Sequence, residues 1–442
     1  MSRKKTVNKI LPATKRIRFA NGLTLILVEW HSLPMVHIKI MFKTGTIDVP
    51  PEKAGLAEAA VYLPSQGTDS KNAMEIAREI DFIGAKFNSK SREDASHISL
   101  TILKKHLHKG LALLNDVLLH PQFLTEELER WKKRTLSSLA QEKADPSITV
   151  SKKFKKFIFQ SCPYGNYPIE TTVHAISRTN VSDFYHSYYT PNNATIVIVG
   201  DVIPDEIVDE VNTLFSKWKP SELPPESVVE VSPPDHFTTQ LINKDDLNQA
   251  QIRYGYITTN RNTPEFFPIL LLNYILGGGG FSSRLMAEIR SNKGYTYGIS
   301  SAFLLYKYSG IFVISTFTKN EIVFSMINEI RNQLHILKNN NVTEEELFAA
   351  KSYFKGSFAQ KFERPETISD QLLYVELYQL PEDYFDTFKS NIEKVTIQDI
   401  KNAIEHFIHP DRAGIVILGK SNTYMNDMNT LGTVELKNYN DL

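Results

Sequence analysis

The sequence predicts an α+β fold of two tandem homologous domains, each a mainly antiparallel sheet covered by helices on one face. Three observations predict it: a long-range internal repeat, a matching turn–strand–glycine pattern at the end of each copy, and a proline-dense polar segment between the copies.

The repeat pairs LTEELERWKKRTLSSLAQEKADP (Leu124 to Pro146) with VTEEELFAAKSYFKGSFAQKFERP (Val342 to Pro365). Aligning Leu128 with Leu347 also aligns Lys132 with Lys351, Ala140-Gln141 with Ala359-Gln360, and Pro146 with Pro365. At the same offset TPNNATIVIVGD (Thr190 to Asp201) falls on HPDRAGIVILGK (His409 to Lys420), so shared spacing as well as shared residue type marks a duplication. Each of these reads as a turn, a run of β-branched residues suited to a buried strand, and a closing glycine.

HLHKGLALLNDVLLHPQF and FSMINEIRNQLHILKNN carry the apolar spacing of amphipathic helices. Pro220, Pro224, Pro225, Pro233 and Pro234 crowd one short segment in which neither a helix nor a central strand persists. The expected organisation is an N-terminal extension (1–19), a first domain (20–217), a Pro-rich linker (218–236) and a second domain (237–442). A chain of 442 residues is long enough for two sizeable cores.

Lys plus Arg equals Asp plus Glu at fifty each, so no whole-molecule field draws the chain to nucleic acid or to an acidic membrane. Cys162 is the single cysteine, which excludes an internal disulfide framework and a cysteine-based zinc cluster and leaves the redox compartment open. The basic start MSRKKTVNKILPATKRIRFANG lacks the apolar run of a signal peptide, and no stretch reads as a membrane span. The expectation is a soluble protein with no readable address.

Several landmarks together resemble the pitrilysin-like, or inverzincin, zinc metallopeptidases, which include the mitochondrial processing peptidase and bacterial two-subunit relatives. They are ANGLTLILVEWHSLPMVHIKIMFKTGTID, GLAEAAVYLPSQGT (Gly55 to Thr68), CPYGNYP (Cys162 to Pro168), YYTPNNATIVIVGD and LLNYILGGGGFSSRLMAEIRSNKGYTYGISS (Leu271 to Ser301). In active relatives an H-x-x-E-H helix supplies two zinc ligands and a general base, and a later helix supplies a third ligand. By resemblance those positions are Glu58, Val61 and Tyr62, with Ser138 at the third-ligand position. Valine accepts no proton, and tyrosine and serine are poor zinc ligands, so the chain is expected to hold no zinc and no other cofactor of its own. His106 and His108 are two residues apart, and on a helix such residues point away from each other.

The second half keeps the complementary motif. The resemblance makes Arg290 a group that holds a substrate carbonyl or carboxylate and Tyr297 a donor to the oxyanion, both acting in trans on a partner's zinc site. Gly277, Gly278, Gly279, Gly280 and Phe281 form a glycine-rich loop of the kind that handles substrate in processing-peptidase relatives. A phosphate loop would carry Lys and Ser/Thr after the last glycine, whereas Phe281 and Ser282 follow, which argues against nucleotide binding. The segment Ala85 to Leu103 resembles the hairpin that pairs with substrate in active subunits, and a structural or partner-contacting role is expected of it here.

The resulting expectation is the metal-free subunit of a heterodimeric zinc endopeptidase. Its partner is a paralogous H-x-x-E-H subunit that carries the zinc, and its substrates are unfolded peptides. The alternatives are a non-enzymatic assembly subunit and a peptide-binding module without cleavage. By the same resemblance to bacterial relatives the compartment is the periplasm, and by the chain as it stands it is the cytoplasm.

Overall fold

The computed structural model describes residues 13–226 and 237–441. Residues 1–12 of the expected extension, and Pro233 and Pro234 with the rest of 227–236, lie outside the described residues.

Among the described residues twelve strands form two six-stranded sheets. The first contains β1 (Thr14–Arg18), β2 (Thr24–Glu29), β3 (Met35–Phe42), β4 (Lys86–Ser91), β5 (Ser96–Leu103) and β6 (Ala194–Gly200), in the order β1-β2-β6-β3-β5-β4. The second contains β7 (Thr238–Asn243), β8 (Gln249–Thr258), β9 (Ile299–Leu305), β10 (Gly310–Lys319), β11 (Gly414–Gly419) and β12 (Thr433–Asn438), in the order β12-β7-β11-β8-β10-β9. The pairs β2–β6, β7–β11 and β7–β12 are parallel and the other pairs are antiparallel, which is the mainly antiparallel α+β duplication expected from the sequence. Both repeated β-branched runs occupy the third position of their sheet, as β6 and β11. The sequence-predicted helices are present at Leu107–Leu119 and Val323–Asn340.

The chain divides into two compact units that interleave the copies of the repeat. The first lies within 1–139, 166–228 and 357–387, and the second within 140–165, 229–356 and 388–442. Each unit therefore includes one segment from the other copy, and these two segments are themselves repeat mates.

In the first unit the reason is visible in β6, which is buried along its whole length. A strand of that kind needs cover on both faces. Ile196 and Ile198 join Val36, Ile38, Ile40 and Phe42 of β3 in a core with Leu56, Ala59 and Ala60. Ile26, Val28, Met41, Val197 and Val199 alternate to the opposite face and are equally buried. The helix Pro365–Leu377 lies on β3 and β6 and covers that face. Burying each of those side chains contributes about 1.5–3 kcal/mol as an upper value. In the first unit the single-sided helix layer of the sequence reading thus gains one helix on the second face.

Charges reinforce this contact. Glu376 accepts from Arg16 Nη1 at 2.7 Å and Lys43 Nζ at 3.0 Å, and Asp370 pairs with Lys39. Burial works to raise the Glu376 carboxyl, but the hydrogen bond from Arg16 and the charge of Lys43 outweigh it and hold the group below the ordinary carboxylate range.

In the second unit the helix Pro146–Phe159 lies on β8 and β11. It starts sharply because Asp145 accepts from the amides of Ser147 at 2.8 Å and Ile148 at 3.2 Å, with Pro146 in the first turn.

Two predictions follow from this packing. Expressed alone, residues 1–226 or 237–442 lack the helix that seals one sheet face, so neither gives the cooperative calorimetric transition of the whole chain, and co-expression restores it. Glu376→Gln lowers stability at pH 7 by about 1–3 kcal/mol in denaturant titration. A depressed carboxyl stabilises above its unfolded value and loses that contribution as pH falls through the folded one, so the difference from wild type shrinks below about pH 4.

Candidate functional site

The first-unit candidate is built on the helix Leu56–Tyr62, which starts at Gly55 in the left-handed region with φ of 108°. Its Leu56, Ala57, Ala59, Ala60 and Val61 are buried, which leaves Glu58 and Tyr62, one turn apart, as the half-buried residues of one face. Val61 therefore belongs to the core as well as lacking a proton acceptor.

That face meets the long helix Thr125–Ala144. Arg134 Nη1 donates to the Tyr62 hydroxyl at 2.9 Å, and the guanidinium carbon lies 4.3 Å from the ring centroid. Ser138, one turn further along the same helix, is exposed. Glu58 Oε2 is buried, so the carboxylate is directed toward the interior; there burial raises the Tyr189 phenol against the opposing hydrogen bond with Ser96, and the charge of Glu58 adds to the rise.

These residues do not fit the zinc of the family. One carboxylate, a valine, a tyrosine already bonded to a guanidinium and an exposed serine offer too few ligands, and the Arg134 charge repels a dication. Among the described residues no group of three or more His, Cys, Asp or Glu gathers elsewhere. His108 is engaged with Glu210 at 2.5 Å. The hairpin expected between Ala85 and Leu103 is β4 and β5, with β4 at the sheet edge and Lys86, Asn88 and Lys90 turned to solvent.

The second-unit candidate begins where the helix Phe266–Asn273 widens into a π-helical turn, Tyr274–Gly278. Gly277 is sterically required, since a Cβ there would lie 2.6 Å from the Ser301 amide nitrogen; one on Gly278 would lie 3.1 Å from the Asn273 carbonyl oxygen, a tight approach. Gly280 takes φ of 61°. Phe281 follows with 71% of its surface exposed. Gly277, Gly278 and Gly280 form one wall of a cavity of about 480 Å³ whose other lining includes Arg253, Ser301 and Phe317.

A second π-helical segment, Met286–Asn292, carries Arg290. Such widened turns recur at functional sites because they displace side chains from the ordinary helical rows. The Arg290 guanidinium carbon lies 4.6 Å from the Phe281 ring centroid, and its buried Nε has no hydrogen-bond partner. Arg284, two residues before this segment, anchors the region by a two-point ion pair to Glu346, with both contacts at 2.6 Å. Tyr297 stands just before β9 with 80% of its surface exposed, so it is not a core residue.

The motif thus brings Arg290 together with Phe281, while Arg290 and Tyr297 share no hydrogen bond. Sequence reasoning missed Arg134, although its place one helical turn before Ser138 puts it on the same face. It also missed Arg253, whose signal is its strand register.

Residues 25–172 match the model described as Insulinase (Peptidase family M16), and residues 175–354 match Peptidase M16 inactive domain. The chain belongs to peptidase family M16. It is 26% identical over 352 residues to the uncharacterized zinc protease YmxG of Bacillus subtilis, covering 79% of this chain and 84% of that one. It is 23% identical over 392 residues to a Helicobacter pylori protein described as a non-peptidase homolog, covering 86% and 88%. Among solved structures, a peptidase M16 inactive domain from Pseudomonas fluorescens superimposes with a TM-score of 0.84 at 24% identity, covering 92% of this chain and 98% of that one. The periplasmic protease PqqL of Escherichia coli superimposes with a TM-score of 0.77 at 15% identity, covering 93% of this chain and 48% of that one. Among the described residues no helix is long and apolar enough to cross a membrane.

Added zinc is expected neither to raise the melting temperature of the purified chain nor to bind stoichiometrically in calorimetric titration. A one-to-one zinc complex with a rise of several degrees would reverse the reading of the first-unit site.

Proposed function

We propose that this chain is the metal-free subunit of a heterodimeric zinc endopeptidase, and that Arg290 and Tyr297 act on the zinc site of a paralogous H-x-x-E-H partner. The observation that carries the reading is an asymmetry between the units. The Arg134–Tyr62 contact occupies the metal-helix face. The second unit meanwhile holds Tyr297 out in solvent and Arg290 without an ion pair or hydrogen bond among the described residues.

In this reading the Phe281 ring holds the Arg290 guanidinium by a cation–π contact and leaves its terminal N–H donors available to a substrate carbonyl or carboxylate. The Tyr297 hydroxyl donates to the oxyanion that forms on the scissile carbonyl, a contribution of about 3 kcal/mol where water is excluded. The partner's zinc supplies the acidified water. Gly277 to Gly280 and Phe281 guide an unfolded peptide chain past these groups. Following the Escherichia coli relative, the periplasm is the compartment to test first.

The description of the Helicobacter pylori relative as a non-peptidase homolog favours, as a second reading, an assembly subunit without a catalytic contribution. Co-expression with an H-x-x-E-H paralogue separates the two. The complex is expected to cleave peptides that neither subunit cleaves alone, and Tyr297→Phe is expected to lower kcat roughly 10²-fold with assembly unchanged. Full activity of the partner by itself, or a Tyr297→Phe complex as active as wild type, would leave the assembly reading.

A further inference from the structure

Arg253 lies in β8, 7% exposed, and its side chain leaves the sheet on the face covered by the Pro146–Phe159 helix. Nε donates to Ser151 Oγ at 3.1 Å, and Nη2 donates to Ser147 Oγ at 2.8 Å and to the Ser147 carbonyl at 3.2 Å. Nη1 donates to the Ile252 carbonyl at 2.9 Å, which leaves one Nη1 hydrogen without an acceptor. Among the described residues no carboxylate stands at ion-pair distance. Asp145 acts on it only through its field, and an Asp145 oxygen is occupied by the helix amides of Ser147 and Ile148. Burial lowers the guanidinium to about 10, so it remains a cation at neutral pH. A buried charge without its counter-charge is costly to the fold.

The duplication identifies what is missing. Lys39 of β3 stands opposite Val197 of β6, and Arg253 of β8 stands opposite Val416 of β11. Val197 and Val416 are repeat mates, separated by the same 219 residues (416 − 197) that separate Leu128 from Leu347. Arg253 is therefore the counterpart of Lys39. The same offset carries Ser147 onto Glu366 and Ser151 onto Asp370. In the first unit Lys39 is neutralised by Asp370, and Glu366 acts on the same face through its field on His37. In the second unit the cation is retained, both acids are serines, and the cavity of about 480 Å³ opens beside them.

We propose that this cavity is a binding site for a carboxylate, the C-terminal carboxylate of an extended peptide, which takes beside Arg253 the place that Asp370 takes beside Lys39. A single unbalanced positive charge with one spare donor matches a monoanion better than a phosphate dianion, which calls for several donors. Met286, Ile299 and Phe317 line the same cavity and suit the side chain of a terminal apolar residue. Ser300 and Ser301 of β9 also line it, and β9 is a sheet edge open to main-chain pairing with an extended segment. The site shares its glycine wall with the reading above but needs no partner subunit, so its test uses this chain alone and its failure is separate from failure of complementation.

The experiment is fluorescence anisotropy of the full chain with a labelled peptide free of Asp and Glu and ending in leucine, prepared as the free acid and as the C-terminal amide. The acid is expected to bind roughly ten- to a hundredfold more tightly than the amide. That preference is expected to vanish in Arg253→Met and in Gly298→Leu. A Cβ on Gly298 would lie 3.7 Å from the Phe317 ring, an ordinary van der Waals distance, and Gly298 lines the cavity, so a leucine there is expected to occupy it. Equal affinity for acid and amide overturns the proposal, as does an acid preference that survives in Arg253→Met. Should Arg253→Met fail to fold by circular dichroism, an acid preference that survives in folded Gly298→Leu overturns it equally. Displacement of the peptide by acetate or inorganic phosphate at the peptide's own concentration would assign the site to small anions and also overturn the peptide assignment.

Discussion

Strand β6 is apolar on both faces, and its second face is sealed by a helix that the chain supplies from the other copy of its repeat. The rest of the first unit depends on that exchange. A β-branched run such as Thr195 to Val199 satisfies its backbone within the sheet, but half of its side chains point away from the principal core. Leaving Val197, Val199, Ile26 and Met41 in water would forfeit several kilocalories per mole in aggregate. The Pro365–Leu377 helix removes them from water and brings Asp370 and Glu376 to Lys39, Lys43 and Arg16. The second unit repeats the exchange with the Pro146–Phe159 helix on β8 and β11, under different chemistry, with serines where the acids stand.

Those chemical differences give the two units opposite characters. In the first, the face that carries Glu58 and Tyr62 is occupied by the Arg134–Tyr62 contact, and the exchanged helix neutralises the basic residue of the sheet. In the second, widened helical turns, a glycine run and serines where the repeat mates are acids leave Arg253 and Arg290 as cations without carboxylate partners among the described residues. Charges of that kind work against the stability of the isolated unit, and a site for an anionic or carbonyl-bearing ligand is where such an arrangement has value.

Much of this was legible in the residues. The duplication was visible because the repeated segments keep both spacing and residue type, and the strand character of ATIVIVG and GIVILG because β-branched runs closed by glycine have few other uses. The poor fit of Glu58, Val61, Tyr62 and Ser138 to zinc was legible because zinc ligation depends on residue identity, and valine remains a non-ligand in any fold. The exchange of helices was not legible: apolar periodicity states that a helix has a buried face but not which sheet buries it. Arg134 on Tyr62 and Arg253 on Ser147 were hidden for the same reason, since each contact joins residues 72 or 106 positions apart.

By itself, then, the sequence determined the class of fold, the twofold plan, the family, and the poor ligand chemistry of Glu58, Val61, Tyr62 and Ser138, because these depend on local pattern and on the chemistry of single side chains. Only the tertiary structure decided that Tyr297 stands in solvent rather than in a core, that Arg290 rests on Phe281, and that the buried arginine of β8 faces serines where its repeat mate Lys39 has an aspartate. Burial and charge balance are properties of neighbours, and the fold draws those neighbours from distant parts of the chain.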